Sequence, residues 1–539
     1  MGGIAGIFRR DGLPADRSLI VRQSERLGDR GPDDGAVYVE GELGLAHRRS
    51  DAEGRGHQPH WDEENRIAVA LDADLRGLGE LAAKLRERGH RVREDHPADV
   101  VLAAFREWGD AFAERLEGAF AVVVLDRAER RLLLARDALG VRPLYFASNE
   151  RRFAFSSELR ALLADPGVAR VLDPEAVAAW FDWGFVPEPQ TLLRDVWVLS
   201  PGHVLVVDAE GTRARRFWQP AARAGSAEQL AADLRRALVE AAERAHEGAE
   251  LVAMSGGRGS SALLAASPLP SLGLAGFDPD DRREALRFSS ELSRPHAEML
   301  DEATPITRAR RSVAAVDTPI GDPWLLPQLA LGSALRASGR VAGPVLSGHG
   351  YAEVGGNAAP LSRLPSPLTE GLARLEPAEP GTIARLSAHI FPILDRVAVE
   401  AQRPLRPAFV SKDTVELALA LRGANVDAPV ALPERVRLQP PRRSAGALAA
   451  WMRGPINQWM EELLFGRPGG SSGFFDAQRL RWWWYQHQLR LADRSPELWR
   501  AAVFEHWYRT EIEGERQDDA HRRRRRRRKT EPSLRGRPR

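Results

Sequence analysis

The feature that most constrains the fold is a strand that runs directly into a glycine–serine loop and then a helix. Glu250-Leu251-Val252-Ala253-Met254 is a short apolar run, Ser255-Gly256-Gly257 breaks it, and apolar periodicity predicts a helix over Ser261–Ala266. The same order of strand and glycine loop returns between Val341 and Gly356. Strands that recur with helical crossovers between them argue for a parallel α/β sheet. In such sheets ligands bind outside the carboxyl ends of the strands, where both loops would sit. A helix over Ala227–His246 leads into the first of these strands.

The part of the chain before this pattern reads differently. Ala119–Leu125 and Arg131–Arg136 are apolar runs joined by a turn at Asp126–Arg130. Tyr145-Phe146-Ala147 and Arg152–Phe155 flank Ser148-Asn149-Glu150 as a second hairpin. Helices are predicted over Leu75–Arg88 and Ala98–Trp108. Strand pairs interleaved with helices point to stacked antiparallel sheets covered by helices. Residues 216–226 form a Pro/Gly/Ala-rich link. Residues 358–380 are Pro-rich and predicted irregular, Pro392–Tyr508 reads as mostly helical, and the chain from 513 is polar and predicted disordered.

Composition closes off several alternatives. With 43% hydrophobic and 28% charged residues, the 539-residue chain is neither wholly disordered nor fibrous, and its length suits two or three domains. No run approaches the ~20 apolar residues of a membrane span. The segment Met1–Arg10 lacks the charged start and apolar stretch of a signal peptide, and Gly6 stands where a myristoylation signal needs Ser or Thr. The expected location is therefore cytoplasmic. The chain has no cysteine, which excludes disulfides, thiolate metal sites and a cysteine nucleophile. Residues 521–539 carry eleven basic side chains against Glu531, a net +10, so the total of +2 leaves the remaining body at −8. The sequence pI near 9.1 thus describes an arginine tail, Arg522–Arg528 at its centre, and not a basic globule.

Seven segments in order resemble the glutamine-hydrolysing asparagine synthetase family, over roughly residues 1–510. Gly2–Phe8 resembles its start, MCGIAGIF, and Arg30-Gly31-Pro32-Asp33-Asp34 its RGPDD. Ala135–Tyr145 is similar to ARDxxGxxPLY, and Pro201-Gly202-His203 to a PGH turn. Ser255–Ser261 resembles the pyrophosphate loop SGGxDSS, and Leu346–Gly356 resembles LSGxGxDExxGG. Leu498–Trp507 is similar to the terminal helix. The resemblance implies a mixed α/β and α+β fold. Residues 1–215 would form an αββα glutamine amidotransferase-like domain of the N-terminal-nucleophile type. Residues 226–512 would form a synthetase domain with an adenine-nucleotide-hydrolase-like parallel sheet, followed by the tail at 513–539. The family hydrolyses glutamine in the first domain, adenylates a carboxylate with ATP in the second, and lets the ammonia attack. Its relatives include β-lactam synthetases and lasso-peptide cyclases.

The positions that carry this chemistry depart from the pattern. The family's nucleophile is a cysteine freed by loss of Met1, and here that position is Gly2. The family's oxyanion-stabilising NGE aligns with Asp72-Ala73-Asp74, and a carboxylate is electrostatically wrong there. Its SDTE aligns near His96-Pro97-Ala98-Asp99. Arg49 matches the arginine that binds the glutamine carboxylate, here a vestige that reads as a surface or salt-bridging arginine. In the second domain Gly259 and Ala352 stand where the resemblance places the two magnesium-binding aspartates, which leaves Glu353 as a doubtful substitute. Magnesium is therefore not expected, and no metal ligand is assigned. Ser255, Gly256, Gly257, Arg258, Ser260, Ser261, Ser347 and Gly348 form a degenerate nucleotide site. With Arg258 and His349 in the loops it reads as cationic. Metal-free binding of ATP or phosphate and a plain glycine turn are both left open. The family's late lysine is missing from Leu432–Trp451, which holds Arg435, Arg437, Arg442 and Arg443 instead. Asp322 matches a family position and reads first as structural. Trp482-Trp483-Trp484-Tyr485 reads as helix packing, since consecutive helical residues face different ways.

Three function classes follow. One is a pseudoenzyme that lacks glutaminase, has an impaired ATP site and works through a partner: an active paralogue, or a peptide or small-acid substrate. A second is an ATP-dependent amide ligase or cyclase without glutaminase. A third is a binding protein driven by the arginine tail, meeting nucleic acid only non-specifically.

Overall fold

The protein is described here from a computed structural model, which covers residues 2–50, 57–275, 279–300, 302–315, 317–339, 343–355, 381–421, 445–466 and 474–514. The Pro-rich stretch 358–380, the arginine-bearing stretch 435–443 and the tail with Arg522–Arg528 lie outside the described residues.

The amino-terminal part builds two six-stranded antiparallel sheets. The first runs, in spatial order, Val196–Val198, Tyr145–Ser148, Arg152–Ser156, Gly2–Arg9, Leu43–Arg49 and Asp34–Glu40. The second runs Thr212–Arg216, His203–Val207, Arg131–Arg136, Glu117–Asp126, Ile67–Arg76 and His60–Trp61. The period-two alternation of the first strand separates two cores. Ile4 and Phe8 meet Val123, Leu125 and Leu134 of the second sheet, while Ala5 and Ile7 face Leu19 and Ile20 of the helix Arg17–Arg26. On the outer face of the second sheet, Val69, Leu71, Val122 and Val124 pack on Ala82, Leu85, Val101 and Phe105. Those come from the helices Leu78–Glu87 and Pro97–Trp108. The result is four layers, helix–sheet–sheet–helix.

The carboxy-terminal part holds a five-stranded, all-parallel sheet in the order His296–Leu300, Ser271–Ala275, Leu251–Met254, Val345–Ser347, Leu405–Pro407. Its central strands, Leu251–Met254 and Val345–Ser347, are buried throughout, as a helix-covered parallel sheet requires. The last helix, Ser495–Trp507, packs against Pro174–Trp183 of the amino-terminal part. The indole of Trp180 donates to Pro319 O at 2.7 Å, that of Trp507 to Asp317 O at 3.1 Å, and Arg500 donates to the carbonyls of Phe181 and Asp182.

Three elements differ from the sequence reading. Leu75 and Arg76 belong to the strand Ile67–Arg76, because that strand pairs with Glu117–Asp126 over its whole length. The helix starts only at Leu78, after Gly77 at φ +63°. The glycine-loop helix starts at Arg258 rather than Ser261, so the loop is three residues shorter. Leu405-Arg406-Pro407 forms a sheet-edge strand inside a stretch that reads as helical. Three residues are too few to show a period, and proline is tolerated at the edge.

Candidate functional site

Gly2 lies in the first sheet, opposite Arg49 across the ladder to Leu43–Arg49. Its N–H donates to Asp72 Oδ1 at 3.1 Å. A Cβ on Gly2 would come 2.8 Å from the Arg48 carbonyl oxygen and 3.1 Å from His47 Nε2. A side chain at this position therefore meets backbone and a buried imidazole. Burial pushes His47 down to about 4, so that ring is neutral.

Around Gly2 the space is filled by charge. Arg30 Nε donates to Gly2 O at 2.9 Å and Asp72 Oδ2 at 3.1 Å, and its terminal nitrogens hold Asp395 at 2.8 and 2.6 Å. Arg142 donates to Asp395 at 3.1 Å, and Arg396 donates to Glu158 at 2.6 Å. Arg160 lies 3.1 Å from Glu158, and its backbone N–H donates to Asp317 at 2.5 Å. The cluster is four guanidiniums against four carboxylates, spanning both domains. Burial alone pushes the Asp395 carboxyl up, but Arg30, Arg396 and Arg142 outweigh it and hold it well below the ordinary range. Burial and the charge of Glu158 push Asp317 the other way, to about 6. A buried charge is tolerated only where partners compensate it, and here each has several. The sequence reading missed Asp395 and Arg396. Their signal was a charged pair inside the apolar run Phe391–Val399.

The remaining residues aligned with the amidohydrolase site are engaged elsewhere. Arg49 lies 3.5 Å from Asp34. Asp74 accepts from Arg406 Nε at 2.6 Å and from its Nη2 at 2.7 Å, and so bridges to the parallel sheet. Asp99 accepts from Arg93 N at 2.9 Å and meets His60 Nε2 at 3.1 Å.

The second candidate site lies where two adjacent parallel strands end. Leu251–Met254 leads into exposed Ser255, Gly256 at φ +81° and Gly257, the N-cap of the helix Arg258–Ala266. Val345–Ser347 leads into Gly348, His349 and Gly350, also at φ +81°. The structure brings the predicted residues of both loops together, and closely. A Cβ on Gly259 would sit 2.5 Å from Gly348 O and 3.2 Å from Tyr351 Cβ. A Cβ on Gly348 would sit 2.4 Å from Gly259 C and 2.5 Å from Ser260 N. The two loops are in van der Waals contact at the point where a family aspartate would stand. Ser260 Oγ donates back to Gly257 O at 3.0 Å and accepts from Ser255 N at 3.3 Å. Ser261 is buried.

The cationic reading of this loop pair holds for Arg258 alone. His349 is buried against Trp324, ring centroids 4.8 Å apart, and its Nδ1 is hydrogen-bonded to Ser347 Oγ. Burial pushes it down to about 4, so it is neutral, and its Nε2 has no hydrogen-bond partner among the described residues. Ala352 offers no ligand, and Glu353 faces Arg385 at 3.9 Å. Asp322 accepts from Trp324 N at 2.9 Å and lies 3.1 Å from His389 Nε2. Among the described residues no group of three or more His, Asp or Glu could hold a metal ion. A magnesium–pyrophosphate group needs carboxylates and an open gap. Gly259, Ala352 and the touching loops provide neither, so the residues present do not fit it.

In the tryptophan run, Trp483 is buried and Trp484 packs on the helical core. Trp482 and Tyr485 are exposed and stack on each other, centroids 6.0 Å apart.

Comparison with known proteins covers both parts. Residues 1–218 match the glutamine amidotransferase domain family, and residues 388–509 match the asparagine synthase family. Asparagine synthetase [glutamine-hydrolyzing] 3 of Bacillus subtilis is 29% identical over 225 residues, 40% of this chain and 36% of that protein. A putative asparagine synthetase [glutamine-hydrolyzing] of Mycobacterium tuberculosis (H37Rv) is 26% identical over 412 residues, 69% of this chain and 63% of that protein. In both cases the chain spans less than two thirds of the relative's own length. Among solved structures, a glutamine phosphoribosylpyrophosphate amidotransferase from B. subtilis aligns with TM-score 0.31 at 13% identity, over 80% of this chain and 96% of that one.

Proposed function

We propose, from the premise that this chain belongs to the asparagine synthetase family, that it is a member without glutaminase chemistry and with an impaired ATP site. It would act as a pseudoenzyme, or as a partner in amide-bond formation carried out by another protein. The observation that carries this reading is the closure at Gly2. The position lacks a nucleophile, backbone occupies the direction a side chain would take, and a charge-balanced cluster fills the surroundings. The touching loops at Gly259 and Gly348 support the same reading for the ATP site. The partner would be an active paralogue, or a peptide or small acid whose amide another enzyme forms. We place the protein in the cytoplasm; among the described residues no helix is long and apolar enough to cross a membrane.

The test is direct assay of the purified full chain for glutamine hydrolysis and ATP–pyrophosphate exchange, with calorimetry of ATP binding with and without Mg²⁺. Neither turnover is expected, and Gly2→Cys is expected to leave glutamine untouched. Glutamine consumption or pyrophosphate exchange at a steady catalytic rate would overturn the proposal.

An ATP-dependent amide ligase without glutaminase is the second reading. One observation favours it: exposed Ser255 and the Gly256–Gly257 backbone open a helix at a strand's carboxyl end, an arrangement that can hold an anion through amide N–H groups. ATP binding that strictly required Mg²⁺ would favour this reading over the first.

A further inference from the structure

A cavity of about 230 Å³ lies between the two domains; Asp74 lines it from the amino-terminal side, and Val410, which packs on Gly350 of the second loop, lines it from the other. The amino-terminal wall comes from the ends of the strands Ile67–Arg76 and Glu117–Asp126 and from the loop at Asp137–Val141. The carboxy-terminal wall comes from the end of the helix Ala227–Ala245, the edge strand Leu405–Pro407 and the start of the helix Lys412–Ala420. Its apolar lining includes Leu116, Phe120, Leu139, Leu405 and Val410.

By formal charge the lining is mixed, but most of its acids are already spent. Asp74 gives both oxygens to Arg406, at 2.6 and 2.7 Å. Asp137 accepts from four backbone N–H groups, those of Phe120, Leu139, Val141 and Arg142, at 3.0–3.2 Å. Asp413 pairs with Arg223 at 2.6 Å. The side chains of Arg76, Arg244 and Lys412 line the same cavity, and none has a hydrogen bond or ion pair among the described residues. Against half-buried Arg76 and Lys412 and exposed Arg244 stands Glu117, which is also exposed. Burial lowers the Arg76 pKa, and the charges of Arg406 and Arg244 add to that effect against Asp74 and Glu117. Cations that line one partly open cavity and outnumber its unpaired acids are an arrangement that a bound anion relieves. Lys412 and Asp413 are also the first residues of their helix, whose amino end adds positive potential on this wall.

We infer that the interdomain cavity is a binding site for a small organic anion, a carboxylate or phosphate monoester with a short apolar portion. The head would be held by Arg76, Arg244 and Lys412, and the apolar portion would lie on Phe120 and its neighbours. The volume is below the ~300 Å³ at which drug-sized pockets begin, so the ligand is small. This inference is independent of whether the glutaminase and ATP sites are active. Because both domains contribute donors, occupancy would bias how they sit together.

Isothermal titration of the full chain with butyl phosphate, pentanoate, succinate and inorganic phosphate tests the assignment, with pentanamide as the uncharged control. Saturable binding at one site is expected for at least one organic anion, and none for pentanamide. The ranking of butyl phosphate against pentanoate and succinate distinguishes a phosphoryl from a carboxylate ligand. Arg76→Gln and Lys412→Gln are each expected to weaken binding about tenfold or more, as for loss of a charge-assisted contact. Exposed Arg151→Gln should leave it unchanged. If Arg76→Gln does not fold, Arg244→Gln and Lys412→Gln carry the test, since neither side chain is fully buried. No saturable binding at millimolar ligand overturns the inference. So does equal weakening by Arg151→Gln, and so does binding abolished by Arg258→Gln but not by the cavity variants, which would place the anion on the glycine loop.

Discussion

His349 illustrates how far a single residue's setting can depart from its formula. Placed in a glycine loop beside Arg258 it reads as a cation, yet its ring is buried against Trp324 and stays neutral. Its folded pKa, about 4, lies below the ordinary 6.5, so the unfolded chain binds the extra proton between those values. Stability from this group is therefore complete above pH ~6.5 and is lost as pH falls toward 4. The loss is on the order of 3 kcal/mol at 1.36 kcal/mol per unit. Urea titrations of His349→Gln and the parent across this range should diverge by that slope. An unchanged pH dependence would mean the ring is charged in the folded state. Asp317, pushed up to about 6, acts with the opposite sign over an overlapping window, which is why the difference between variant and parent is the quantity to measure.

At the scale of the element, the helix Arg258–Ala266 is set by what lies against its first turn. Gly259 has no Cβ to hold the neighbouring loop away, so Gly348 and Tyr351 come into contact with it. Overpacking of such a junction costs ~1–3 kcal/mol. Gly259→Ala is expected to destabilise by that amount in a chemical denaturation curve. Restoring acids with Gly259→Asp and Ala352→Asp should then yield a less stable chain with no pyrophosphate release. Regained release would show that the loops part readily and that the site is merely missing two carboxylates. A sequence comparison alone suggests that rescue as reasonable; the loop contact argues against it.

For the whole molecule, the decisive feature is that both domains share one buried charge cluster. Asp395 of the carboxy-terminal domain is held by Arg30 and Arg142 of the amino-terminal one, and Asp74 answers with Arg406. Removing one partner leaves the others buried and uncompensated, a cost of ~3–5 kcal/mol. Asp395→Asn is expected to lower stability by that amount and to split a single calorimetric transition into two, as the domains lose their common cluster. A parent and variant that melt in the same single transition would show that the apolar contacts between Trp180, Phe504 and Trp507 suffice to hold the domains together.

Much of this architecture was legible in local pattern. Apolar alternation marked the hairpins at 119–136 and 145–155, and the strand–glycine-loop order marked the parallel sheet, because period and turn chemistry are properties of neighbours along the chain. The missing thiol at Gly2 and the missing acids at Gly259 and Ala352 were equally plain, since an absent functional group needs no structure to be noticed. What the folded chain packs around Gly2 was not legible. Arg30 and Asp395 are 365 residues apart, and nothing local to either says that one neutralises the other. The short strand Leu405–Pro407 exists only because a sheet edge is there to receive it. Whether a charge is spent or free, as with Asp74 against Arg76, depends on partners that only the folded chain brings within hydrogen-bond reach.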